Sequence, residues 1–228
     1  MNRDTSYNSI LRISFPIMLG SAAQNIIVLR DNLFLYRVDA VDFASIGLIG
    51  AFYLVISSIG YGFSKGGQVL IARKHGEKSY AEVGRYFQAL LIFEFIMALL
   101  IFCAIQFLAK PFFSTFIEST AIIERSLAYI YPRSWGVFFS FVGVSMIALY
   151  TGIAKTKFIL YDTILLTVSN VVLNYIFIFG ALGVDAMGIR GAALASTFSE
   201  IIAFAAFLIY MLYDRKNRIF ELWRFASA

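Results

Sequence analysis

Cysteine and histidine are nearly missing from this chain. Cys103 and His75 are the only ones. An intrachain disulfide is therefore excluded, and Cys103, inside an apolar run, reads as a small packed hydrophobe. No Ser/His or Cys/His constellation and no paired His/Glu motif lies within an apolar segment, so the chain does not read as an enzyme. His75 lies in the polar stretch Arg73–Arg85 among lysines and arginines, where it reads as solvated. Charge is scarce too. Only 14% of residues are charged, against about a quarter in a soluble domain.

The charges that exist are pushed to the edges of long apolar runs. Uncharged runs cover Ile13–Leu29, Phe43–Ser64, Ser134–Ala154 and Thr163–Val184, while Tyr86–Ala109 and Gly191–Tyr213 are interrupted only by Glu94 and Glu200. Each is close to the ~20 residues that cross a bilayer. A large soluble core does not need runs of that length. The expected fold is all-α: a polytopic membrane protein with a bundle of six transmembrane helices, a lobe at 1–213 and a basic, aromatic tail or linker at 214–228. A removable signal peptide is not expected, because Arg30-Asp31-Asn32 follows the first run where small residues would mark a cleavage site.

With the N-terminus on the cytoplasmic side, the inner loops hold Arg3, Arg12, Arg73, Lys74, Lys78, Arg85, Lys155, Lys157, Arg215, Lys216, Arg218 and Arg224. The outer side holds Arg37, Lys110, Arg125, Arg133 and Arg190. This bias predicts cytoplasmic termini and a multi-pass place in the cell (inner or plasma) membrane. The net charge of +5 follows from that bias, and no nucleic-acid partner is expected. Phe112–Ile123 is amphipathic and is expected at the outer interface. The tail, with Arg218, Phe220, Trp223, Arg224 and Phe225, suits a helix on the inner leaflet or a linker. Pro16 and Pro132 fall within the first span and near the start of the fourth, which packed helices tolerate. Gly191, Ala195 and Ser199 recur at four-residue spacing and mark a helix contact.

Three runs carry polar stripes. Ser21, Gln24 and Asp31 share one face of the first. Thr163, Thr167, Asn170 and Asn174 follow at +4, +3, +4 on the fifth. Ser196 and Thr197 lie one turn from Glu200 on the sixth. Counted at ~1.5 Å per residue, Asp31, Asn174 and Ser196 all fall in the outer half of the bilayer. Facing one another, the stripes would offer a carboxylate, amides and hydroxyls, all oxygen ligands suited to a proton or a hard cation such as Na⁺. The alternatives are plain. Asn, Ser and Thr in spans also hydrogen-bond neighbouring helices. Asp31 reads either as an intramembrane acid, a functional candidate by default, or as an interfacial residue after a span that ends at Leu29. Glu94 and Glu200 are weaker acid candidates, each protonated or paired with a neighbour. Lys65 lies near enough to the end of its run to snorkel. Ser57–Gly62, SSIGYG, resembles a potassium-channel filter, but it sits inside one uninterrupted apolar run with no pore helix beside it.

These residues resemble the multidrug and toxic compound extrusion (MATE) family, in its N-terminal six-helix half. The resemblance rests on ISFPIMLGSAAQNIIVLRDNLFL, on IARKHGEKSYAEVGRY after the Gly-rich second run, and most of all on NVVLNYIFIFGALGVDAMGIRGAALAS. It implies secondary transport without a cofactor: export of amphipathic cationic drugs or metabolites in exchange for H⁺ or Na⁺. It also implies a cation or proton site at Asp31, Asn170, Asn174 and Ser196 or Thr197, with Gln24, Thr163, Thr167 and Glu200 as cavity-lining candidates and no metal beyond Na⁺ at those residues. Some members have an acid where this chain has Asn174, and Arg30 and Lys65 are unusual for the family. Members have two lobes, so the implied partners are a second six-helix lobe, membrane lipid and a small-molecule substrate. The rival readings are a flippase for lipid-linked oligosaccharides of the same superfamily, to which Lys65 and Arg30 point, and a potassium channel built on Ile59–Gly62.

The basic bias yields a topology prediction. In a Cys103→Ser background, cysteines at Lys78 and Lys157 should react with an impermeant thiol reagent from one side of the membrane and a cysteine at Asp185 from the other. Reaction of Lys78 and Asp185 positions from the same side overturns the six-span reading.

Overall fold

A computed structural model describes residues 40–222, together with Leu11, Phe15 and Met18. The described residues form six α-helices and one 3₁₀ turn. The helices are α1 (Ala40–Gly76), α2 (Tyr80–Phe116), α3 (Thr120–Ser134), α4 (Gly136–Gly152), α5 (Lys157–Phe179) and α6 (Gly188–Tyr213), followed by the 3₁₀ turn Arg215–Phe220. Four of them, α1, α2, α5 and α6, are individually long and apolar enough to cross a membrane. The α3–α4 pair meets the same test as one span bent by 47°. The first apolar run, Ile13–Leu29, lies outside the described residues. The molecule is a membrane helical bundle.

Local chemistry sets the helix ends. α1 carries Asp42 in its first turn and Arg73, Lys74 and His75 in its last, each sign opposing the helix macrodipole. The chain then turns through Lys78, at φ 60°. Lys74 ties that turn with contacts to Glu77 at 3.1 Å and to Glu82 at 2.6 Å. Hydrogen bonding to Lys74, and then to Arg73, holds the Glu77 carboxyl below the usual carboxylate range. α5 stops at Gly180, whose φ of 76° is in the left-handed region that ends helices.

The stretch Phe112–Ile123 is a helix end, a turn and a helix start. Phe112–Phe116 completes α2, the chain reverses at Ile117–Ser119, and Thr120 opens α3. Ser119 caps it by accepting from the Ile122 amide at 3.5 Å. The helices α1 and α2 also run well past the apolar stretches read from sequence.

Helix α1 packs on α2, α3 and α4, while α6 bridges α5 to α3 and α4. The α5–α6 approach is close: a Cβ at Gly191 would collide with the Phe177 backbone. Two apolar clusters fill the bundle. One gathers Ile49, Phe113, Ile130, Val137 and Ile178. The other, at the opposite end, gathers Ile71, Phe87, Leu149, Tyr150 and Phe207.

The start of the tail is part of this second cluster. Over 215–222 the segment is folded back on the bundle. Phe220 and Leu222 are buried. Gln88 donates to the carbonyls of Glu221 and Leu222 at 3.2 and 3.1 Å. Asn217 donates to the Tyr150 hydroxyl at 2.7 Å and to the Met211 carbonyl at 3.0 Å. Gly84 makes room, since a Cβ there would collide with the Phe220 carbonyl oxygen. Gly84→Ala should therefore undock the segment and destabilise the chain by about 1–3 kcal/mol. The readouts are a lower melting temperature and faster tryptic cleavage at Arg218; unchanged values would mean that the docking carries no stability.

Candidate functional site

The amide pair of α5 is buried where α5 meets α6. Spacing of four residues puts Asn170 and Asn174 one above the other. The Asn174 amide donates to Asn170 Oδ1 at 3.1 Å, and the Asn170 amide donates to Ser196 Oγ on α6 at 3.2 Å. Asn174, Asn170 and Ser196 thus form one polar chain across two helices. Its polar groups are amide and hydroxyl groups, all neutral. The rest of the stripe is oriented differently. Thr163 donates to the Ile159 carbonyl at 2.9 Å and Thr167 to the Thr163 carbonyl at 2.8 Å, so both hydroxyl protons stay on their own helix. Thr197 turns away from the amides and donates to the Pro132 carbonyl at 3.3 Å. Of the two α6 hydroxyls, Ser196 is the one at the amides.

One turn further along α6, Glu200 meets Arg133. The guanidinium donates through Nη1 to Glu200 Oε2 at 2.7 Å and through Nη2 to Oε1. It also lies over the Tyr53 ring of α1, 4.3 Å from the centroid, a cation–π contact. The pair sits at the break between α3 and α4. There Pro132 offers a carbonyl to Thr197, and Trp135 separates the two helices. Gly136 is required beneath it, because a Cβ would collide with Arg133 Nη1 and stand 2.5 Å from Glu200 Oε2. Read from sequence, Arg133 belongs with the outer-side charges. In the structure it is an interior residue, with a side chain only 8% exposed. The sequence held one usable signal: two opposite charges, each beside or within an apolar run, have few partners but each other.

Other polar residues divide by surroundings. Glu94 on α2 is fully buried, and neither carboxylate oxygen has a hydrogen-bond partner among the described residues. The flanking ring contact of Phe63 with Phe93 at 4.8 Å places it where α2 lies against α1. Lys65 is exposed and donates to Gln68 Oε1 at 3.1 Å. Ser57–Gly62 is uninterrupted helix within α1, so its carbonyls serve the helix ladder and form no channel filter. Asp31, Gln24 and Arg30 lie outside the described residues. No group of three or more metal-ligating side chains occurs among the described ones.

The MatE family model matches residues 16–176. The chain belongs to the MatE family. Members of this family are transporters rather than enzymes, and they need no cofactor. A probable multidrug resistance protein NorM of Mannheimia succiniciproducens is 27% identical over 218 residues, covering 92% of this chain and 45% of that protein. The probable multidrug resistance protein YoeA of Bacillus subtilis is 25% identical over 228 residues, covering 95% of this chain and 46% of that protein. A solved outward-facing multidrug resistance MATE transporter of the MOP superfamily superposes with a TM-score of 0.83 at 22% identity, over 91% of this chain and 45% of that one. A MATE protein solved in complex with MaL6 gives 0.84 at 22% identity. This MatE chain thus spans about half the length of the curated relatives it matches.

The ion pair of this MatE lobe yields a stability prediction. Arg133→Met leaves Glu200, whose side chain is only 16% exposed, unpaired and should cost about 3 kcal/mol. Combining it with Glu200→Leu should recover most of the loss. Thermal unfolding of the two single variants and the double variant in detergent measures this. A double variant as unstable as the sum of the singles would show that the two side chains do not act as a pair.

Proposed function

We propose that this chain is one lobe of a cation-coupled antiporter, driven by H⁺ or Na⁺, that exports amphipathic cationic drugs or metabolites across the plasma membrane with both termini cytoplasmic. The observation that carries the reading is the buried chain Asn174–Asn170–Ser196. A polar chain of this kind inside a bundle is costly to build for packing alone, when each amide also needs its remaining donors and acceptors satisfied. Its oxygens suit a hard cation, and Asp31 of the first run supplies the carboxylate. The multidrug resistance names of NorM and YoeA support the substrate class.

Ion binding at this site biases the lobe between two arrangements, by no more than the difference in the ion's affinity for them. Transport by alternating access then needs a second bundle for this one to move against. That second lobe is part of the proposal. Lys65, which favours a flippase for anionic lipid-linked substrates, is exposed and already engaged by Gln68, so it adds nothing to that reading.

Reconstitution with a complementary lobe tests the site. Asp31→Asn should abolish ion-driven efflux of a fluorescent organic cation. Asn174→Ala should weaken its ion dependence, and in ion binding by the assembly should be non-additive with Asp31→Asn by about 0.5–3 kcal/mol, as expected of groups that share one ligand. If Asn174→Ala lowers only the melting temperature and leaves the ion dependence unchanged, the amides are packing groups.

A further inference from the structure

A second candidate site, apolar except for one acid, lies at the far end of the α5–α6 pair, away from the amides. A cavity of about 460 Å³ opens there, lined by Phe158, Tyr161, Asp162, Tyr210 and Tyr213 with aliphatic neighbours. Phe158 and Tyr210 stack face to face at 3.7 Å, forming one wall. Tyr161 and Tyr213 are 64% and 81% exposed and form the rim. Asp162 is the lone acid in the lining. Its Oδ1 is buried and has no hydrogen-bond partner among the described residues. Lys155, just before α5, is paired with Asp214 at 3.0 Å.

A carboxylate oxygen without a partner among aromatic faces is complementary to an ammonium group. The rings attract the cation through their quadrupoles, and the carboxylate supplies the opposite charge. Position selects what carries the ammonium. Asp162 is five residues from the start of α5, about 7.5 Å along the helix, the depth of the headgroup boundary. Exposed Lys157 at the same helix end offers a cation for a phosphate. Above the cavity, Ile164, Val168, Val172 and Tyr175 continue as an exposed apolar track at helical spacing. We propose that this cavity holds the ammonium headgroup of a membrane phospholipid, seated on Asp162 and the tyrosines, with its acyl chains along that track.

The full chain in nanodiscs provides the test. Discs would contain phosphatidylglycerol alone or mixed equally with phosphatidylethanolamine, and native mass spectrometry would count the retained lipids. The wild-type chain should retain phosphatidylethanolamine several-fold over phosphatidylglycerol. Asp162→Asn should reduce that preference to parity, and Asp162→Glu should keep most of it. Tyr161→Leu, at an exposed position that tolerates change, should reduce it by about threefold. Equal retention of the two lipids by the wild-type chain, or a preference unchanged in Asp162→Asn, overturns the proposal. Tetraphenylphosphonium titrated into phosphatidylglycerol discs separates the other source of the same chemistry. Asp162-dependent binding of that soluble cation, without any phosphatidylethanolamine preference, also overturns the lipid assignment.

Discussion

The contact between Arg133 and Glu200 fixes the middle of the bundle. Two charges placed among apolar helices have no water to fall back on, and each is expensive alone. Together they make both hydrogen bonds of a planar fork, with Tyr53 covering the guanidinium face. Several features exist to permit that geometry. The α3–α4 span bends at Trp135, Gly136 gives up its side chain, and the Pro132 carbonyl freed at the break takes the Thr197 hydroxyl. Because Glu200 and Thr197 lie on α6, the same contacts set the rotation of that helix. Its rotation in turn presents Ser196 to Asn170 and leaves Thr197 facing the other way.

The remaining hydroxyls show how a helix in lipid normally disposes of polarity. Ser45, Thr163, Thr167 and Ser199 each donate to a carbonyl four residues back. Ser64 donates across to the Val144 carbonyl at 2.8 Å and ties α1 to α4. These groups are spent on structure. An amide cannot be disposed of in the same way. It carries two donors and a two-lone-pair acceptor, more than one backbone carbonyl absorbs. Asn170 and Asn174 therefore reach for each other and for α6, and Glu94 remains as a bare carboxyl. The chemistry of the lobe is concentrated in these few groups.

The all-α membrane architecture was legible because run length and charge placement depend directly on bilayer thickness. The shared face of Asn170 and Asn174 was legible because four-residue spacing is a property of the helix itself. Choosing Ser196 over Thr197 was not, because adjacent residues point about 100° apart and only the packing of α6 decides which one faces α5. Arg133 was misplaced for a related reason. Its partner is 67 residues away, and beside Pro132 and Ser134 it reads as the edge of a span. The docked segment 215–222 was hidden as well. Alternating basic and aromatic residues are the signature of an interfacial helix, while its burial depends on Gly84 and Gln88, in a different helix. Sequence periodicity reports one helix at a time; these features belong to pairs.

The amide at position 174 constrains how the proposed coupling would work. Two carboxylates at one site titrate as a coupled pair, because ionising the second works against the charge of the first. The Asn170–Asn174–Ser196 chain carries no titratable group, so in the proposed site α5 and α6 would orient a cation without neutralising it. In the proposal, charge balance would then fall to one carboxylate from another element, Asp31, which follows the first apolar run. Such a site would hold one proton or one monovalent cation and become neutral when filled. Emptying it leaves a single uncompensated negative charge in the bundle. The energetic contrast between filled and empty states is then greatest at one residue, with the amides setting the selectivity of what fills it. In the proposed mechanism no acid of α5 stands beside the amides to share the charge, since Asp162 lies eight residues before Asn170 near the start of the helix.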